Sequence, residues 1–175
     1  MRSTVGPEVF CRTNVFAGVV IGVTKLDVAY VPTPKDIVRR MLQLAALRPG
    51  EIVFDLGAGD GRVMIEAVRQ FRAKAVGIEI DPERTSRIRE RLASTGIGAE
   101  LIEGDLLQVD LSTADVISIY LSDSVNAQLG PKLRRELKKG ARVVSLDYKL
   151  PEWKPIREVT VNTAGMPRKI YVYQA

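Results

Sequence analysis

Ile52-Val53-Phe54-Asp55-Leu56-Gly57-Ala58-Gly59-Asp60-Gly61 is the stretch that decides the fold. Ile52-Val53-Phe54 is a short apolar run that suits a buried strand. The glycines behind it let the backbone turn sharply and let a ligand approach closely. Helical spacing then begins, and residues 63–71 read as an amphipathic helix. Strand, glycine turn and helix make the first unit of an open α/β sheet, whose ligands sit at the carboxyl ends of the strands.

The alternation extends outward from this unit. Upstream, Tyr30-Val31-Pro32 is extended, since a residue before proline avoids the helical region. Thr33-Pro34-Lys35-Asp36 predicts a helix start, with Thr33 as cap, Pro34 in the first helical position and Asp36 as the capping-box acid. Ile37, Val38, Met41, Leu42 and Leu44 follow with helical spacing, and Pro49-Gly50 is the expected stop. Downstream, strands are expected at residues 75–80, 100–103, 114–121 and 141–148, with helices at 82–94 and 125–138. Two closing strands, 157–161 and 169–173, flank a turn at Gly165-Met166-Pro167 that leaves no room for a helix. The expected architecture is α/β: a Rossmann-like open sheet, mostly parallel with a C-terminal antiparallel hairpin, and helices on both faces.

The chemistry of the loop narrows the ligand. A dinucleotide fingerprint runs G-x-G-x-x-G, but here the third glycine arrives one residue early, at Gly61, and Arg62 stands where a small residue is wanted. Asp55 would also repel a pyrophosphate. S-adenosylmethionine carries an ammonium and a sulfonium and no phosphate, so a carboxylate at Asp55 suits it, and Gly57, Ala58, Gly59, Asp60 and Gly61 leave room for its amino acid end. The second strand ends at Glu79, with Ile80 after it, 22 residues beyond Gly57. A carboxylate there can accept from both ribose hydroxyls, worth roughly 1.5–3 kcal/mol. The third strand runs into Gly104-Asp105-Leu106, where the acid suits an adenine amino group and Leu106 can pack on the ring. Each of these residues alone reads as an ordinary loop, strand end or turn. Three at the ends of successive strands read as a site.

Composition sets further bounds. The chain has 175 residues, 46% hydrophobic and 27% charged, which fits one globular domain. It has one cysteine, Cys11, and no histidine. That excludes an internal disulfide and removes every Ser-His and Cys-His dyad; no metal site is expected. The net charge of +5 steers toward acidic partners or nucleic acid, or describes a mildly basic enzyme surface. The apolar run at residues 15–23 is shorter than the roughly 20 residues a spanning helix needs. Residues 1–29 are expected to be a leader or extra strand segment, and residues 30–175 the functional domain, a monomer in the cytoplasm without stable membrane insertion.

From Tyr30 onward these motifs resemble the class I, seven-β-strand methyltransferases: the glycine loop matches their first motif, Glu79 their second and Asp105 their third. Tyr30-Val31-Pro32-Thr33-Pro34, DLGAGDGR from Asp55, Gly77-Ile78-Glu79, LGPKLRRELKKGARVVS from Leu129 and Trp153-Lys154-Pro155 are similar to a narrower group. This group is the archaeal protein lysine methyltransferases and their mitochondrial relatives. The resemblance implies N-methylation of protein lysines, with the segment from Tyr30 to Thr33 closing over the cofactor.

The loop after the fourth strand, Tyr120-Leu121-Ser122-Asp123-Ser124-Val125-Asn126, is where the acceptor is expected. It lacks the Asn/Asp-Pro-Pro-aromatic motif of amino-methylating nucleic acid enzymes. Tyr30, Tyr120, Ser122 and Asp123 are the catalytic candidates, and each also reads as a positioning or surface residue. Tyr30 and Tyr148 are candidates to wall a lysine channel. A core that takes nearly all of the chain leaves little for a cap, which favours protein or RNA over a small metabolite. Two alternatives to lysine methylation stand: an RNA methyltransferase, and a non-catalytic module that binds S-adenosylmethionine.

Overall fold

The computed structural model describes residues 31–163 and 165–175. Tyr30 and the leader lie outside the described residues. The elements run α1 (Lys35–Leu44), β1 (Ile52–Leu56), α2 (Arg62–Phe71), β2 (Lys74–Glu79), α3 (Pro82–Thr95), β3 (Glu100–Glu103), β4 (Val116–Ile119), α4 (Asp123–Glu136), β5 (Arg142–Leu146), β6 (Arg157–Thr163) and β7 (Met166–Gln174).

They build one seven-stranded sheet in the order β3-β2-β1-β4-β5-β7-β6. β1 to β5 are parallel, while β7 enters antiparallel between β5 and β6. The expected mostly parallel sheet with a terminal hairpin is therefore what forms. Alternation along the strands produces two cores. Val53, Ala75, Val116 and Val144 face α1, α2 and the buried Ile88 and Leu92 of α3. Phe54, Val76, Ile117, Val143 and Tyr171 face Val125, Leu129 and Leu133 of α4. Helices cover both faces, as a parallel sheet requires. Gly77 lies where α2 comes closest: a Cβ there would sit 2.3 Å from Met64 Sδ.

Several boundaries differ from the sequence reading, each for a local reason. Thr33 makes no cap bond to α1, and Pro34 occupies the cap position with extended backbone. The Thr33 carbonyl is instead engaged by the Arg62 guanidinium. α1 stops at Leu44, ahead of Pro49-Gly50: Ala46 takes a left-handed φ of 51° and Leu47 N donates back to Leu42 O at 3.1 Å. That closure satisfies the last carbonyls without a glycine. α4 begins two residues early because Ser122 Oγ caps it by accepting from Val125 N at 3.3 Å. Met166 and Pro167 belong to β7 rather than to the turn, pairing with Thr163 and Asn162. Among the described residues no helix is long and apolar enough to cross a membrane.

Candidate functional site

The site starts where β1 gives way to the glycine loop. Gly57 N and Ala58 N both donate to Ile78 O, each at 2.9 Å, which hooks the loop over β2. Gly57 has φ +84°, and a Cβ on it would lie 2.9 Å from Leu121 Cδ2. Only glycine meets both demands without strain. Gly61 continues the turn into α2 as its cap, packed against Ile88.

Glu79 does structural work here that its position in sequence did not reveal. It is buried, and its Oε2 accepts from Gly59 N at 2.9 Å. Oε1 accepts from Ile80 N and Asp81 N, both at 3.1 Å, and Arg84 Nη1 stands 3.7 Å away. One carboxylate thus ties the glycine loop to the start of α3. Each carboxylate oxygen has about two acceptor directions, so Oε1 is filled and one direction on Oε2 is left for a ligand.

Asp55 is the second buried acid. It pairs in register with Ser118 of β4, and both are buried. Burial pushes its carboxyl up to about 8, the Ser118 hydroxyl pulls the other way, and the negative charges of Asp60 and Glu79 add to the rise. A carboxyl so placed becomes a carboxylate readily only when a cation arrives. Asp60 is the opposite case. Burial works against its charge, but bonds and attraction from Arg62 and Arg91 outweigh that and hold it below the usual carboxylate range. Arg62 Nε and Nη2 reach Asp60 at 2.8 and 2.6 Å, and Arg91 Nη1 reaches it at 2.8 Å. Because Arg62 also holds the Thr33 carbonyl, the glycine loop and the segment leading into α1 are tied together.

Asp105 follows β3, and its Oδ1 accepts from Leu107 N at 2.9 Å in a tight turn. Gly104 N donates to Glu79 O at 2.9 Å, which brings this turn beside β2. A single pocket at the carboxyl ends of β1 to β4 is bordered by Thr33, Asp55, Gly57, Ala58, Gly59 and Asp60. Glu79, Ile80, Asp105, Leu106 and Tyr120 complete the predicted residues around it. Gly61, Ser122 and Asp123 do not border it. Ser122 caps α4, and Asp123 is exposed in that helix's first turn.

Sequence reasoning passed over Ser118, Arg84 and Met41, which also line the pocket. Ser118 carried a usable signal as the polar residue inside the apolar run Val116–Ile119. The arrangement suits a ligand with a cationic end near Asp55, hydroxyls near Glu79, and a flat ring between Ile80 and Leu106. S-adenosylmethionine has all three. The buried Asp55 with its raised carboxyl and the glycine loop on the pocket's border agree with it.

The strand order, with β7 antiparallel beside β5 and acids ending β1, β2 and β3, defines a class I methyltransferase fold. The family described as the ANTKMT methyltransferase domain matches residues 55–157, and the chain belongs to that family. A protein-lysine N-methyltransferase of Saccharolobus islandicus is 41% identical over 149 residues, covering 83% of this chain and 92% of the relative. The adenine nucleotide translocase lysine N-methyltransferase of Mus musculus is 36% identical over 141 residues, covering 79% of this chain and 61% of that enzyme. Among solved structures, an RNA methyltransferase from Salinibacter ruber in complex with S-adenosyl-L-homocysteine superposes with a TM-score of 0.76 at 41% identity, covering 82% of this chain and 93% of that one.

Proposed function

We propose that this chain transfers the methyl group of S-adenosylmethionine to the side-chain amine of lysines in proteins. The observation that carries the reading is the near full-length similarity to the archaeal lysine methyltransferase. The pocket supports the cofactor: three acids stand at or just past the carboxyl ends of three adjacent strands, Asp55 and Glu79 are buried, and Asp55 is poised to receive a cation.

When bound, the cofactor supplies an activated methyl on sulfur. Asp55 would hold its ammonium end, Glu79 its ribose, and Asp105 with Ile80 and Leu106 its adenine. Thr33, fixed through Arg62, borders the same pocket. The acceptor needs a free lone pair in line with the methyl. A lysine at pH 7 is protonated, and presenting it neutral costs about 4.6 kcal/mol at ~1.36 kcal/mol per pH unit. A buried approach beside a cationic ligand lowers that cost. With no histidine in the chain, Tyr120 on the pocket wall is the local group placed to guide the amine, while Ser122 and Asp123 stand outside the pocket lining. As parts of the same proposal, residues 30–175 form the catalytic domain, residues 1–29 are a leader or an extra strand segment, and the protein acts as a monomer in the cytoplasm. The division is supported by the regular alternation of strand and helix patterns that begins after Tyr30.

A second reading, an RNA acceptor, is favoured by the Salinibacter relative and by the pI of about 9.5. Labelled-methyl transfer to protein and RNA fractions of a cell extract separates the two. The lysine reading expects label that survives nuclease, disappears with protease and maps to lysine residues. Label found only in RNA refutes it.

A further inference from the structure

The acids suited to the cofactor end β1, β2 and β3, which leaves the end of β4 as the wall that faces the acceptor. Tyr120, the residue after β4, borders the pocket there. Its ring stacks on Tyr148 with centroids 6.2 Å apart and planes 25° apart. The Arg168 guanidinium lies 5.1 Å from the Tyr120 ring centroid.

Both neighbours of Tyr120 are themselves held. Tyr148 follows Asp147, a non-glycine residue at φ +61°. Such a conformation is strained and persists only where its surroundings enforce it. Here Asp147 N donates to Lys169 O at 2.7 Å. Asp147 Oδ1 accepts from Lys169 N at 3.0 Å, and Oδ2 pairs with Arg168 Nε at 2.7 Å. The fully buried Asn126 donates to the Tyr148 and Lys149 carbonyls at 3.3 and 3.2 Å. Ser145 Oγ donates to the Tyr148 carbonyl as well. The Arg168 side chain is only 13% exposed, and among the described residues its Nη2 is buried with no hydrogen-bond partner. Its visible commitments are to Asp147 and to the Tyr120 ring.

We infer that Arg168, on the terminal hairpin, is a positioning residue for methyl transfer. Together with Asp147 it fixes Tyr120 and Tyr148 as the aromatic wall that receives the acceptor side chain. This rests on the lysine reading above. An aromatic wall packs against a methylene stem and attracts a methylated, cationic nitrogen through the ring face. The strain at Asp147 is then the cost of turning the chain after β5 so that Tyr148 meets Tyr120.

The test uses the full-length chain carrying Arg168→Met or Arg168→Lys. Kinetics are measured on a lysine-bearing acceptor protein, and S-adenosylmethionine affinity by calorimetry. Arg168→Met should hold the cofactor Kd within about twofold while kcat/KM for the acceptor falls about five- to thirtyfold, chiefly through KM. Arg168→Lys, which keeps a cation near the ring, should recover most of that loss. Unchanged acceptor kinetics in Arg168→Met overturn the inference. A cofactor affinity that falls in step with kcat/KM overturns it too, since loss of packing alone would do that. If Arg168→Met does not fold, Tyr148→Leu carries the same test: it should raise acceptor KM at constant cofactor Kd, and an unchanged KM overturns the proposal. A parent enzyme that labels no protein lysine refutes the lysine reading instead. The variants are then scored on the RNA that the parent labels, where the same split between KM and cofactor Kd decides the positioning role.

Discussion

Replacing Asp55 by Asn should stabilise the protein and weaken cofactor binding at the same time. The folded chain holds the Asp55 carboxyl at about 8 against an ordinary value of 3.8. Between those values the native state keeps a proton that the unfolded chain has released, so stability falls as pH rises from about 4 to about 8. At ~1.36 kcal/mol per pH unit this reaches about 4 kcal/mol by pH 7, a ceiling that relaxation and water penetration lower. Asn has nearly the same shape, keeps an acceptor for the Ser118 hydroxyl and carries no titrating proton. Asp55→Asn should therefore match the parent near pH 4 and exceed it by a margin that grows toward pH 8. Cofactor affinity should move the other way, by about ten- to a hundredfold, as a charge-assisted bond of ~1.5–3 kcal/mol is lost. Urea unfolding of the ligand-free protein at pH 5, 6, 7 and 8, with calorimetric titration of S-adenosylmethionine at pH 7, measures both. A stability margin that is flat across this range, or a variant less stable than its parent throughout, refutes the account of Asp55 as a buried acid awaiting a cation.

Three further outcomes follow from the same geometry. Glu79→Gln cannot accept every backbone N–H that Glu79 holds at Gly59, Ile80 and Asp81, so cofactor Kd should rise about tenfold or more and the melting temperature should drop; a Kd within twofold of the parent in calorimetry contradicts this. Gly57→Ala places a Cβ 2.9 Å from Leu121 at φ +84° and should cost about 2 kcal/mol or more, while Gly96→Ala, with φ +64° and open space, should cost only about 1 kcal/mol; equal losses in denaturant unfolding would show that the contact with Leu121 is immaterial. Asp60 is held below its usual range by Arg62 and Arg91, so its contribution is present above about pH 4 and lost as pH falls through its lowered value; Asp60→Asn should flatten the acid limb of a pH-melting profile, and an unchanged limb argues against the ion pairs.

The cofactor half of the site was legible in the sequence because its determinants are local. Asp55 and the glycines sit at the end of β1 and Glu79 at the end of β2, and the strand-turn-helix pattern fixes where each end lies. Even so, local reading saw only what Glu79 offers a ligand. That it ties Gly59 to the start of α3 depends on β2 lying beside β1. Arg62 shows the same limit: in sequence it marks a departure from a dinucleotide loop, while in the structure it joins Asp60 to the Thr33 carbonyl. Boundaries failed where a residue without the usual signal did the work, as when Ala46 closed α1 ahead of Pro49-Gly50.

The acceptor half was only partly legible: Tyr120 and Tyr148 stood out as candidates, while Asp147 and Arg168 did not, for a different reason. Its wall joins Tyr120 after β4, Asp147 and Tyr148 after β5, and Arg168 from β7, elements brought together by β7 pairing antiparallel with β5. No periodicity announces that pairing partner, and no spacing places Arg168 over a ring 48 residues away in the chain. A shared cofactor demands the same chemistry at the ends of β1 to β3 in any chain that binds it, so those residues can be read one strand at a time. An acceptor imposes no such common demand, and residues that recognise it can come from whichever elements the sheet brings to β4. Similarity at 41% identity extends both to a lysine methyltransferase and to a protein described as an RNA methyltransferase. Discrimination between acceptors should therefore track changes at Tyr120, Tyr148 and Arg168 while leaving cofactor affinity alone. Exchanging these three residues for those of a relative with a different acceptor, and measuring acceptor preference alongside cofactor Kd, separates the two halves of the site by experiment.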